Sequence, residues 1–145
     1  MSRFFTREQA ERLLPEVEAS IREAIHLKRE HSESETFLQE TAQRIMLLGG
    51  VRIDREKMAR QRARHETSAA GLKQSVEKIH GFGCLIKDLD IGLVDFPTLL
   101  NGREVYLCWK LGEPAIDYWH GTDEGFRGRK RIDREFLEKH RGDAA

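Results

Sequence analysis

The sequence predicts an α+β fold, a long antiparallel helical hairpin with a small three-stranded antiparallel sheet near one end. Three observations carry this prediction. Apolar residues in the first half recur at helical spacing in a charged background: 34 % of the chain is charged and 39 % hydrophobic, a balance suited to long, solvent-bathed helices. The pair Gly49-Gly50 divides that half into two stretches, and a connection so short sets the helices side by side and antiparallel. In the second half the apolar period changes to two on either side of Asn101-Gly102, the preferred dipeptide of a type I′ hairpin turn. At 145 residues the chain has the size of one domain, spanning 1–145. Its helical part covers 6–80, its hairpin and third strand 91–120, and a short C-terminal helix 132–140.

Taken in order, Thr6 and Gln9 form a capping box that opens a short helix over 7–13. Pro15 disfavours helical geometry at Leu14 and suits the first position of a new helix, which predicts a bend and then a long helix from Pro15. Val17, Ile21, Ala24, Ile25, Leu38, Ala42, Ile45 and Leu48 keep its period. The polar stretch Lys28 to Thr36 fits either a solvated section of one helix or a break, and continuity is the favoured reading. Asp54 is the N-cap candidate for the next helix. Met58, Arg62, His65, Ala69, Leu72, Val76 and Ile79 then alternate by four and three in a coiled-coil-like stripe that Gly81 ends. The strands GLVDFPTLL and REVYLCWKLG flank the Asn-Gly turn, and IDYWH follows Gly112-Glu113-Pro114 as a third. Residues 121–131 read as loop, RIDREFLEKH as the last helix, and GDAA as a fraying end.

A two-residue turn fixes the hairpin register. Leu100 pairs with Arg103, Thr98 with Val105, Phe96 with Leu107, Asp95 with Cys108 and Val94 with Trp109. One face then carries Val94, Phe96, Val105, Leu107 and Trp109, and forms core. The other carries Asp95, Pro97, Glu104, Tyr106, Cys108 and Lys110. If Trp119 of the third strand points into the core, His120 joins Asp95, Tyr106 and Cys108; a slip of one residue reverses that.

Formal charge balances at 25 basic and 25 acidic residues, which argues against a basic coat for nucleic acid. No apolar run approaches the roughly 20 residues of a membrane helix. The charged start lacks the apolar core of a signal peptide. With only two cysteines, Cys84 and Cys108, a reducing, cytoplasmic setting is expected.

The segments FTREQAERLLPEVEA, GLVDFP, VYLCWKLGEP and YWH resemble a prokaryotic family catalogued as domain of unknown function 2203. The resemblance spans nearly the whole chain and implies a helical part joined to a small sheet. It carries no activity and no catalytic residue over to this sequence.

Asp95, Cys108 and His120 form the sharpest chemical constellation, because carboxylate, sulfur and imidazole are ligands for zinc or a similar transition metal. Tyr106 and Glu113 are candidate polar-pocket residues beside them. The competing reading makes Cys108 a small buried hydrophobe and has His120 cap a strand or bond a backbone carbonyl, with no cofactor. Asp88, Asp90 and Gly92 resemble the start of a calcium loop but lack the closing glutamate, so they read as a solvated loop between helix and strand. Glu113, Asp117 and Asp95 offer a carboxylate pair only if the fold brings two of them together. No phosphate-binding loop or nucleophile elbow is present. Arg55 and Arg62 belong to a basic run at the start of the second long helix, for which Glu33, Glu35 and Glu40 are the intramolecular counter-charges. Phe126, Arg127, Arg129, Lys130 and Arg131 form a second basic patch.

The leading functional expectation is a cytoplasmic, non-enzymatic binding or scaffold module that self-associates as a homodimer through its helices or docks a protein partner. The alternative is a metal-binding protein or metal-dependent hydrolase that uses the polar sheet face. An RNA-associated factor using Arg55, Arg62, Arg127 and Arg129 comes third.

Overall fold

Arg7–Leu48 forms one unbroken helix, α1, in the computed structural model, which describes residues 3–49 and 52–144. Thr6 Oγ1 accepts from the Gln9 amide and Gln9 Oε1 from the Thr6 amide, so the capping box is complete. The predicted division into a short helix over 7–13 and a new helix from Pro15 does not occur, and Pro15 sits inside one continuous helix. An interior proline costs about 3 kcal/mol, whereas burying each large apolar side chain returns about 1.5–3 kcal/mol. Ala10, Leu14, Val17, Ile21 and Ala24 form one buried stripe across Pro15, and a break there would turn its two halves apart. The polar stretch 28–36 is helical throughout. Gly49 ends α1 with a positive φ of 47°, the conformation for which glycine is suited; Gly50 lies outside the described residues.

Asp54 caps α2, Arg55–Gly81, by accepting from the Lys57 amide. The contacts Leu27–Gly71, His31–His65, Glu33–Arg64 and Phe37–Lys57 run in opposite senses along the two helices, so the hairpin is antiparallel. Among the described residues, no helix is long and apolar enough to cross a membrane.

The sheet is larger than predicted. Strands β1 (Leu85–Asp88), β2 (Leu93–Leu100), β3 (Arg103–Lys110), β4 (Tyr118–Gly121) and β5 (Lys130–Arg131) lie in that order, all antiparallel. A short helix α3 (Arg134–Lys139) leads into β6 (His140–Arg141), which pairs with the end of β2. Three strands become six because the extra ones are short and pair with partners the local pattern does not mark. The outer edge of β2 is filled piecemeal: β1 covers its start, β6 its end, and between them the Phe5 amide donates to the Pro97 carbonyl at 2.7 Å. In an antiparallel strand a residue's N–H and C=O point to the same side. The missing N–H of Pro97 therefore faces that edge, and the β2–β3 ladder loses nothing.

Two further expectations change. Residues 121–131 hold a single 3-10 turn, Phe126–Gly128, and strand β5 rather than loop alone. The end does not fray at Asp143, whose amide donates to the Phe4 carbonyl at 2.8 Å while its carboxylate accepts from the Phe4 amide. The final helix is also shorter than 132–140.

The core lies between the sheet and the first half of α1. Phe5, Val17, Ile21, Ile79, Val94, Phe96, Leu107, Trp109 and Ile116 have almost no exposure and belong to one cluster. No residue of α1 beyond Ile25, and none of α2 before Ile79, belongs to it. The sheet therefore covers one end of the hairpin, and about 35 Å of α1 extends past it.

Candidate functional site under the sheet

The predicted β2–β3 register holds at every position, with Asp95 opposite Cys108 and Phe96 opposite Leu107. The third strand resolves the open choice: His120 lies opposite Tyr106, Trp119 opposite Leu107 and Tyr118 opposite Cys108. Trp119 thus packs on the core side, and His120 shares a face with Asp95, Tyr106 and Cys108.

The centre of that face is polar in composition but not solvated, while Glu104 at its end is exposed. Asp95 and Cys108 are 0 % exposed and His120 is 4 % exposed. The segment after β4 covers them. Arg129 stacks over Tyr118 and Phe126, at 4.0 and 4.2 Å from the ring centres, and grips Glu113 with two hydrogen bonds of 2.9 and 2.6 Å. Its Nη1 lies 3.9 Å from Cys108 Sγ. On the opposite flank, Lys87 of β1 sits over the Tyr106 ring, which meets the His120 ring edge-on.

The contacts of His120 define the chemistry. Its Nδ1 lies 2.7 Å from the Gly121 carbonyl oxygen, and its Nε2 lies 3.0 Å from both Asp95 oxygens. A carbonyl only accepts, so Nδ1 must carry a proton. One more positive centre is needed between Nε2 and the carboxylate: a proton on either group, or a metal ion. Burial pushes the Asp95 carboxyl above the usual carboxylate range, against the opposing pull of His120. Burial, helped by the Asp95 charge, pushes the Cys108 thiol up to about 12, so it holds its proton at neutral pH.

The three ligand atoms all lie within 4.8 Å of one another. Tetrahedral zinc holds its donors about 3.3–3.6 Å apart, so an ion here would spread the His120–Asp95 pair from 3.0 Å by a few tenths of an ångström, with Cys108 as the third donor. The Nδ1–H to carbonyl bond is the outer-sphere contact that orients a metal-binding imidazole. A thiol–imidazole nucleophile is not formed, because both ring nitrogens face other partners and neither faces Cys108.

The remaining candidates disperse. Glu113 is held by Arg129 and by the Lys110 amide, and Asp117 pairs with Arg7 at 3.2 Å, so no carboxylate pair forms with Asp95. Arg129, expected on an exposed basic patch, is half-buried and committed to Glu113, and Phe126 is already stacked on it. Arg55, Arg62 and Arg127 are exposed. In the intramolecular charge pairing expected between the helices, it is Arg64 that meets Glu33, at 2.6 Å. Asp88 and Asp90 shape the β1–β2 turn, not a junction of helix and strand: Asp88 accepts from the Asp90 amide, and Asp90 pairs with Lys28. The covering roles of Lys87 and Arg129 were not legible in the sequence. Each depends on a segment distant in the chain folding over the β3 face.

No curated protein and no solved structure matches the chain. A family model described as an uncharacterized conserved protein (DUF2203) matches residues 3–132, nearly the whole of the helical hairpin and sheet, and the chain belongs to that family.

Proposed function

We propose that the protein is a metal-binding module whose Asp95, Cys108 and His120 hold a zinc-type transition metal under the sheet. The observation behind this is the His120 ring, which presents a protonated nitrogen to a carbonyl and its other nitrogen to a buried carboxylate beside a thiol. An ion there replaces the proton between His120 and Asp95 and the proton on Cys108, turning a costly buried polar cluster into a neutral ligand set. Three protein donors leave a fourth position for water. The burial of the site favours a structural or ligand-holding ion over one open to a large substrate. Metal analysis by mass spectrometry of tag-free protein, beside a Cys108→Ala/His120→Ala variant, tests this. Near-stoichiometric metal that the variant loses supports the reading, and wild-type protein without metal above background removes it.

A second reading rests on the far end of the hairpin. Met46, Leu47 and Leu48 are 84, 83 and 68 % exposed, with Ile45 and Ile53 beside them. An apolar tip on a chain without net charge suits self-association through the helices, in keeping with a scaffold role. Sedimentation velocity tests it: a concentration-dependent dimer that Leu47→Glu dissociates supports it, and a monomer at all concentrations refutes it.

A further inference from the structure

The middle of the helical hairpin poses a separate problem. Beyond Leu27, which rests on Gly71, the two helices meet through polar and small residues as far as Phe37. Ser34 and Ser68 are buried there, and each hydroxyl donates to a carbonyl of its own helix, that of His31 and that of His65. The core cluster does not reach this level. Hydrophobic burial, the usual basis of helix pairing, is thin here.

Four functional side chains occupy the gap. His31 and Glu35 stand one turn apart on α1, and Gln61 and His65 one turn apart on α2. The antiparallel pairing sets His31 against His65, their rings stacked with centres 4.3 Å apart. The same offset places Gln61 level with Glu35. Donor atoms of His31, Glu35 and His65 all lie within 4.8 Å of one another. Independently, Gln61 Oε1 is buried without a hydrogen-bond partner among the described residues. A buried acceptor with no donor calls for a missing group.

We propose that His31, Glu35 and His65 form a second zinc-type site, which clips the two helices together at mid-length. Two imidazoles and a carboxylate are a known donor set for zinc and leave the fourth position to water. That water donates to Gln61 Oε1 and satisfies it. The ion supplies at this level the cross-link that apolar packing supplies near the sheet. The site contains no thiolate, is partly open to solvent, and does not depend on the reading of Asp95, Cys108 and His120.

The test is a zinc titration of chelator-stripped, tag-free full-length protein by calorimetry, with amide hydrogen exchange before and after zinc. Glu35→Gln changes only an exposed side chain, so it keeps the fold; His65→Gln is the second variant. In a Cys108→Ser background, which removes the sheet site, the protein is expected to take up one zinc equivalent that both variants lose, with affinity reduced by more than about 100-fold. Gln61→Ala, which touches only the bound water, is expected to weaken binding by about 10-fold. Zinc should slow exchange across 28–37 and 61–68 in wild type and not in Glu35→Gln. Unchanged stoichiometry and affinity in both variants, no response across 28–37, or no uptake in the micromolar range overturns the proposal. Failure of the sheet site reads out separately, as zinc uptake unaffected by Cys108→Ser.

Discussion

Replacing His120 by alanine in the metal-free protein isolates the energetics of the buried cluster. The substitution removes the imidazole that meets both Asp95 oxygens and leaves a carboxyl of 0 % exposure. Breaking one partner out of a buried charge pair costs about 3–5 kcal/mol. An unfolding entropy of about 2.1 cal/mol/K per residue over 145 residues is about 0.3 kcal/mol/K, so this loss lowers Tm by about 10–16 °C. Urea unfolding followed by the fluorescence of buried Trp109 measures it directly. Two signatures separate charge from packing. An unpaired Asp95 neutralises as pH falls, so the loss should be smaller at about pH 5 than at about pH 8. Asp95→Ala/His120→Ala should be no less stable than His120→Ala alone, because the stranded charge has gone. A loss below about 1 kcal/mol that does not change with pH would refute the claim that His120 carries Asp95.

Other outcomes follow from the same structure. Burial holds the Asp95 carboxyl above its ordinary value, so the native state binds more protons than the unfolded chain. Stability of the metal-free protein should therefore fall as pH rises from about 4 through the native value of Asp95, and Asp95→Asn should flatten that part of the curve in urea titrations. Cys84 and Cys108 are both buried, with thiols pushed up to about 12. Neither should react with a disulfide reagent in native protein at mildly alkaline pH, and both should react in denaturant. Arg129→Ala should release Glu113 and uncover Cys108, seen as faster Cys108 labelling with Cys84 unchanged. Gly92 has φ 68°, and an added Cβ would lie 2.5 Å from Leu111 Cβ. Gly92→Ala should therefore cost more than about 2 kcal/mol in urea unfolding, the sum of a left-handed backbone penalty and a clash.

The parts legible in the sequence were those fixed by local geometry. Asn101-Gly102 sets the β2–β3 register by itself, and that register puts Asp95 beside Cys108 before any tertiary contact is known. Thr6, Gln9 and Asp54 announce their helix starts because a cap is satisfied within four residues. What the sequence left open or hid depended on distant partners. The side taken by His120 followed from Trp119 finding the core near Phe136. Strands β1, β5 and β6 are too short to show a period, and β6 pairs with a strand some 40 residues earlier. Pro15 gave a correct local signal that a continuous buried stripe outweighed. His31 and Glu35, and Gln61 and His65, are two pairs at one-turn spacing that nothing local marks out from a solvated helix face. Their meeting depends on the level at which the helices pair, which a loop of this length does not fix.

Cobalt titration of tag-free, chelator-stripped protein tests the central claim most directly, because the ion reports its own ligands. Binding at Asp95, Cys108 and His120 predicts a saturable thiolate-to-cobalt charge-transfer band that is lost in Cys108→Ser and displaced by zinc. Tight cobalt binding with no thiolate band would contradict the account, since Cys108 would then lie outside the coordination sphere.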